Sequence, residues 1–292
     1  MANLKVIRKR IGSVKNTQKI TRAMKLVAAA RLRRAQQNIT ELRPSAIKLL
    51  EVASAVAARS TEGEEAPHPL LERREIHHVM LVVLTSDRGL AGAFNSSICK
   101  AAQHRWKQLE AEGKSVVFTV IGRKGRDYFT RRGAKIAHDF TGVFEGLTFE
   151  KSAEIARHIT KAYEDPKSEL DACYLVYNEF KSAISQKVVI EPLLPITPMD
   201  IPADQVGDYI YEPGKKALLD TLLPLYAGLE VHRALLESIA SEHGARMTAM
   251  EAATNNASDM IDRLTLEFNR ARQAAITKEL MEIIGGAEAL KG

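Results

Sequence analysis

The last third of the chain carries one regular apolar pattern that constrains the fold more than any other feature. Apolar or small residues recur there in alternating steps of four and three, with one extra step of four between Ile239 and Met247. This spacing is typical of a coiled-coil seam, and the extra step is a local stutter. At about 1.5 Å per residue, a helix from Leu225 to Ile284 would be roughly 90 Å long. The predicted seam consists of Leu218, Leu222, Leu225, Leu229, His232, Leu236, Ile239, His243, Met247, Met250, Thr254, Ala257, Ile261, Leu264, Phe268, Ala271 and Ala275.

The N-terminal segment is the only other part of the chain long enough to pair with that helix. Residues 3–58 contain no Gly after Gly12 and a single Pro, Pro44, which predicts a long helix kinked near Pro44. We therefore predict an antiparallel two-helix coiled coil made from the two ends of the chain. The N-terminal side of its seam begins with Leu4, Ile7, Ile11 and Val14.

The middle of the chain has a different pattern. Residues 79–85 and 115–121 are continuous apolar and β-branched runs, as in strands buried on both faces. Further strands are predicted near residues 134–140, 172–179 and 187–194, and helical segments separate most of them. This order predicts a Rossmann-like, mostly parallel α/β domain inserted between the long helices, with right-handed crossovers. The predicted division is residues 1–58, 76–196 and 209–292.

The positive charge is concentrated at the N-terminus. The first 43 residues contain 12 Lys and Arg against one acid, Glu41, while the whole chain has a net charge of +6. Such a segment usually faces an acidic partner, which is a nucleic acid, an anionic lipid or an acidic protein loop. One hypothesis is therefore a basic coiled-coil nucleic-acid-binding protein. No aromatic residue that could stack on bases precedes Phe94, which favours a protein partner.

Motifs for catalysis, metal binding or cofactor binding are missing from the sequence. The segment 86–95 follows the first strand but lacks the spacing of a phosphate-binding loop, as does the turn from Gly122 to Gly125. Tight strand-to-helix turns explain both better than an α/β enzyme that uses a nucleotide. His77 and His78 would point to opposite faces of a strand, so they cannot hold one metal ion together. Cys99 and Cys173 form no Cys-x-x-Cys pair.

Three segments together resemble the gamma subunit of F-type ATP synthases, and the resemblance spans the whole chain. They are RIGSVKNTQKITRAMKLVAA at 10–29, SDRGLAGAFN at 86–95 and ITKELMEIIGGAEA at 276–289, the last preceded by EFNRARQA at 267–274. Relatives commonly have Cys where Ala91 stands. The regulatory cysteine pair of chloroplast relatives is not visible.

The resemblance implies a noncatalytic rotor that couples ion flow through a membrane ring to ATP synthesis or hydrolysis in a ring of α and β subunits. It implies partners in those α and β subunits, the epsilon subunit and the membrane c-subunit ring, with no nucleic acid and no direct membrane insertion. It implies no catalytic residue, cofactor or metal of its own. The expected location is peripheral, on the cytoplasmic face of a bacterial plasma membrane. An organelle energy-coupling membrane is the second alternative.

The resemblance also implies two sets of contact residues. Met24 and Lys25 match positions that face an acidic loop of the β subunit, and Arg272 and Gln273 match a pair that engages a β-subunit loop. The implied contacts to the catalytic ring are Met24, Lys25, Arg272, Gln273, Thr277, Glu279 and Glu282. The implied contacts to the membrane ring and epsilon subunit are Tyr209, Tyr211 and Glu212.

Overall fold

A computed structural model of the chain describes residues 4–60, 68–199 and 214–289. The described residues form five α-helices and five strands, with a short 3-10 helix at Pro69–Leu71. The elements are α1 (Leu4–Ser60), β1 (His78–Leu84), α2 (Phe94–Ala111), β2 (Ser115–Ile121), α3 (Arg123–Thr130), β3 (Ile136–Phe140), α4 (Phe149–Glu164), β4 (Ala172–Phe180), β5 (Gln186–Leu194) and α5 (Lys215–Ala289).

The five strands form one sheet in the order β3-β2-β1-β4-β5. The first four are parallel, and β5 pairs antiparallel with β4. The predicted mixed α/β sheet between long N- and C-terminal helices is thus confirmed. The edge strand β3 begins at Ile136, two residues later than predicted, and its register against β2 shifts between Phe118 and Thr119.

The central strand β1 explains why the sheet has a core on each face. All six of its residues from Val79 to Leu84 are buried, and alternate side chains point to opposite faces. Met80 and Val82 pack with α4 and α5, in a cluster that includes Ile155 and Leu223. Val79 and Leu81 pack with α2, in a cluster that includes Ile98. A continuous apolar run is therefore needed in this strand.

The described residues pack into two compact units. The first comprises residues 1–28 and 247–292, and the second comprises residues 29–246. Helices α1 and α5 each contribute residues to both units. The predicted boundaries at residues 1–58, 76–196 and 209–292 remain a prediction.

In the first unit, α1 and α5 run antiparallel. Thr21 Oγ1 lies 2.8 Å from Thr254 Oγ1, and Lys25 Nζ lies 2.6 Å from Glu251 Oε1. The predicted seam residues of α5 from Met250 to Ala275 are less exposed than their neighbours, and Ile7 on α1 is 3% exposed. These contacts are compatible with the predicted antiparallel coiled coil.

In the second unit, part of the predicted seam is wrong. Leu225 was expected to be buried but is 40% exposed. The buried side chains in this part of α5 belong to Leu219, Leu223 and Ala227, which lie in the same cluster as the sheet residues. Here the sheet and α4 determine which face of α5 is buried, so the heptad pattern does not predict it. Farther along, every residue from 234 to 245 is buried.

Both long helices contain an internal proline. Pro44 lies within α1, which continues through it to Ser60, and Pro224 lies within the first turns of α5. A proline removes one backbone donor without necessarily ending a helix that tertiary packing supports.

Candidate functional site

Five of the seven predicted contacts to a catalytic ring lie on the last turns of α5, in the first unit. Their side chains are exposed, while the seam residues Ala271 and Ala275 beside them are partly buried. Arg272 and Gln273 are exposed, which is compatible with the outward direction that the heptad pattern predicts for them. These five residues are Arg272, Gln273, Thr277, Glu279 and Glu282.

The same end of α5 extends past its helical partner. Counting outward from the Thr21–Thr254 pair in an antiparallel register places Leu4, where α1 begins, opposite Ala271. Within the described part of the first unit, residues 272–289 therefore have no α1 residue opposite them. Several apolar side chains there are 52–70% exposed. An exposed apolar stripe of this kind usually marks a contact with another protein. It comprises Ile276, Leu280, Met281, Ile283 and Ile284.

Met24 and Lys25 are placed differently from the other predicted contacts. Both are partly buried on α1, beside α5. The Lys25 ammonium group forms an ion pair with the Glu251 carboxylate at 2.6 Å, with side-chain exposures of 35% and 51%. Glu251 is not among the predicted contact residues, although it lies one residue past the seam position Met250 and so borders the helix contact.

The three predicted contacts to the membrane ring and epsilon subunit, Tyr209, Tyr211 and Glu212, fall within residues 200–213 and lie outside the described residues.

Asp87, in the turn after β1, binds the backbone of two later segments of the chain. Asp87 Oδ1 accepts the backbone N–H of Arg123 at 3.0 Å, and its Oδ2 accepts that of Gly142 at 2.9 Å. Its side chain is only 3% exposed. The donor at the start of α3 that a phosphate would require is already bound to a carboxylate. This arrangement supports the interpretation of segment 86–95 as a structural turn.

The second strand-to-helix turn is equally filled. Thr85 Oγ1 donates to the Ile121 carbonyl and accepts the Gly125 N–H, both at 2.8 Å. Gly122 adopts φ +91°, and a Cβ built on it would lie 2.1 Å from the Thr85 carbonyl oxygen. Glycine is therefore required here by the backbone conformation and by the close approach of the Thr85 backbone.

Polar networks tie α5 to the α/β part of the second unit, and no sequence motif predicted them. Arg246 donates to the Glu242 carboxylate at 2.7 Å and to the Gly89 carbonyl at 3.2 Å. Glu242 and Arg246 lie four residues apart on one helix, and this spacing is the only sequence signal for their ion pair.

The second network lies at the β4–β5 hairpin. Arg233 donates to Glu230 at 2.7 Å, to Glu191 at 2.8 Å and to the Tyr177 hydroxyl at 3.0 Å. Burial disfavours the charged guanidinium, but Glu230 and the other partners outweigh burial and hold the pKa of Arg233 above its ordinary value. Arg233 therefore remains a cation that joins α5 to two strands.

The histidines and cysteines form no reactive centre. His77 and His78 lie at the start of β1, where their backbone N–H groups both donate to Asp171 Oδ2 at 2.8 Å. In residues 4–60, 68–199 and 214–289, no three His, Cys, Asp or Glu residues are grouped to hold a metal ion. Burial raises the pKa of the Cys99 thiol to about 12 and also raises that of Cys173. Neither thiol is a reactive thiolate at neutral pH.

His243 has the most perturbed pKa of the described histidines. It is 6% exposed, and burial lowers its pKa from 6.5 to about 4, with further contributions from Arg246 and Arg31. The folded state thus holds this imidazole neutral, while the unfolded chain protonates it near pH 6.5.

We expect stability to fall as the pH is lowered from 6.5 toward 4, because the unfolded state binds the additional proton. His243→Gln removes this group and should reduce the loss between pH 7.5 and 5.5 by about 1 kcal/mol. Urea unfolding at the two pH values, followed by the fluorescence of Trp106, measures the difference. His68 and His232, whose pKa values burial also lowers, are present in both proteins and cancel. If the stability of the two proteins depended equally on pH, the lowered pKa of His243 would not be a cause of the loss of stability.

Among the helices of the described residues, none combines the length and apolar character that crossing a bilayer requires.

Comparisons with known proteins agree on one family. A family model described as ATP synthase matches residues 3–290. The ATP synthase gamma chain of Anaeromyxobacter sp. (strain Fw109-5) is 53% identical, and that of Sorangium cellulosum is 52% identical, each over the full length of both chains. Among solved structures, a chain of the Tetrahymena thermophila mitochondrial ATP synthase central stalk and c-ring is similar, with 27% identity and a TM-score of 0.59. The match covers 80% of this chain and 99% of that one.

Proposed function

Because the chain belongs to the family of ATP synthase gamma chains, the central-stalk rotor of that enzyme, we propose that it transmits torque and catalyses no reaction alone. Rotation of this subunit would bring different faces of α5 to each of the catalytic β subunits in turn. Each face would stabilise a different nucleotide state, since a contact can shift an equilibrium only by its differential binding to the two states.

The exposed C-terminal end of α5 supports this proposal most directly. It combines exposed apolar residues, which suit a close-fitting protein sleeve, with the exposed polar pair Arg272 and Gln273. We propose that Arg272, Gln273, Thr277, Glu279 and Glu282 contact the ring of α and β subunits. The family resemblance adds Met24 and Lys25 to this set.

The proposed contacts to the epsilon subunit and the membrane ring rest on the family alone. We propose that Tyr209, Tyr211 and Glu212 contact the epsilon subunit and the membrane c-subunit ring. The complex would then lie peripherally on the cytoplasmic face of a bacterial plasma membrane.

The nucleic-acid hypothesis is not favoured. Apart from Lys25 with Glu251, the basic side chains of α1 in the first unit are exposed, but this helix has no aromatic residue to stack on bases. Any binding to DNA would rest on phosphate contacts and would be lost steeply with added salt.

Reconstitution tests the proposed function. The purified chain should neither bind nor hydrolyse ATP, because its strand-to-helix turns lack the spacing of a phosphate-binding loop and Asp87 already binds the backbone N–H of Arg123 at the start of α3. Mixed with its cognate α and β subunits, it should form a stable complex with ATPase activity. ATP binding by calorimetry and ATP hydrolysis by phosphate release are measured for each mixture. Micromolar ATP affinity of the chain alone, or failure to assemble with α and β, would reject the proposal.

A further inference from the structure

Four side chains in the first unit make polar contacts across the helix pair. The Thr21 and Thr254 hydroxyls lie 2.8 Å apart, and Lys25 donates to Glu251 at 2.6 Å. Thr254 Oγ1 also lies 2.7 Å from the Met250 carbonyl, so one hydroxyl donates across the pair while the other donates to its own helix. The two contacts lie about one helical turn apart.

The seam on either side of these contacts has little to define its alignment. Ala28 is 1% exposed, Met250 is 4% exposed and Ala257 is 7% exposed. Small and apolar side chains pack with similar energy in several alignments, whereas a hydrogen bond or ion pair requires its partner at one position. Thr21, Lys25, Glu251 and Thr254 therefore supply directional contacts to this section of the helix pair.

The alignment determines where the exposed end of α5 begins. Thr21 opposite Thr254 sets Leu4 opposite Ala271, so Arg272 and Gln273 lie just beyond the first turn of α1. A shift of α5 by one turn would move this pair by about 5.4 Å along the helix axis. A displacement of that size exceeds the tolerance of a hydrogen bond to a partner protein.

We propose that Thr21, Lys25, Glu251 and Thr254 form a register clamp, which keeps α1 and α5 in alignment while the subunit carries torque. Glu251 and Thr254 are positioning residues, since they act on the ring contacts through the alignment of the helices. The inference rests on the proposed function, and it adds a partner on α5, Glu251, to the ring contact proposed for Lys25.

The surrounding charges make the two charged residues of the clamp, Lys25 and Glu251, unequal. Lys19 and Arg22 line the same depression as Lys25 and Glu251, so Glu251 is the single acid among three cations there. Glu251→Lys should therefore be more harmful than Lys25→Glu, because it places four cations together. Lys15, an exposed cation on the same helix, provides the matched control.

Charge reversal in the assembled complex tests the inference. We expect Lys25→Glu to lower the ratio of ions pumped to ATP hydrolysed by about threefold or more, at unchanged yield of complex. Combining it with Glu251→Lys should restore at least half of the loss, while Lys15→Glu should leave the ratio unchanged. A purely structural role would lower the yield and leave the ratio of the remaining complex intact.

Two results would overturn the clamp. The first is a double reversal no better coupled than Lys25→Glu, which would assign Lys25 to a partner subunit instead. The second is a normal ratio in Lys25→Glu itself. Should these variants assemble poorly, Thr21→Cys with Thr254→Cys tests the alignment directly, since oxidation of the complex should link the two helices and preserve coupling. Failure of the wild type to assemble would reject the proposed function, not the clamp.

Discussion

The Gly122→Ala chain is expected to unfold at a much lower urea concentration than the wild type, with a loss of about 3 kcal/mol or more. At φ +91° and ψ 143°, Gly122 occupies a backbone region that residues with a Cβ rarely adopt. The added methyl group would also lie 2.1 Å from the Thr85 carbonyl oxygen and 2.7 Å from its carbon. Both atoms belong to the backbone beside buried β1, so no flexible side chain can move aside.

Gly133→Ala is the matched control. Gly133 has φ +70°, but a Cβ there would meet no heavy atom within 4 Å, so only the conformational penalty of about 1 kcal/mol applies. The single tryptophan, Trp106, contacts Phe118 of the sheet with ring centroids 5.2 Å apart, so its fluorescence reports unfolding of this part of the second unit. If the two variants lost equal stability, the close approach of Thr85 would not be the cause.

The double variant Arg272→Ala with Gln273→Ala should assemble normally but lose ATPase activity and ATP-driven ion pumping by about tenfold. Both side chains are exposed and Ala favours helix, so the stability of the chain should change by less than about 0.5 kcal/mol. An Arg hydrogen bond to a charged or polar partner is worth about 1.5–3 kcal/mol, and its loss changes the relative energies of the β-subunit states. Yield of complex, ATP hydrolysis and ion pumping are measured together.

Leu264→Asp provides the contrast. Leu264 lies in the seam between α1 and α5, where a charge should weaken the helix pair and lower the yield of complex itself. A double Ala variant that hydrolyses ATP and pumps ions like the wild type would remove Arg272 and Gln273 from the torque contact. The family assignment would be unaffected by that result.

The sequence predicted well those features that depend on local periodicity. The run from Val79 to Leu84 identified the central strand, and the heptad pattern identified the seam from Met250 to Ala275 and hence the outward direction of Arg272. The pattern was wrong at Leu225, because the sheet, not a second helix, covers α5 there.

Features that depend on distant partners could not be predicted. Asp87 binds backbone groups 36 and 55 residues away, and Glu251 binds a lysine 226 residues away. No local pattern encodes such pairings, since they arise only once the sheet and the helix pair have formed. For the same reason, the polar groups that surround α5 in the second unit were not identified beforehand.

The fully buried stretch of α5, residues 234–245, has a mechanical consequence. It spans more than three helical turns, so side chains are packed in every direction around the axis. Glu237 accepts the Phe180 N–H at 2.9 Å, Ser241 donates to the Asn178 carbonyl at 3.0 Å, and the Gly244 backbone approaches Ala183. A helix held on all sides cannot spin about its own axis unless the sheet turns with it. A rotation of the sheet must therefore rotate this stretch of α5 by the same angle.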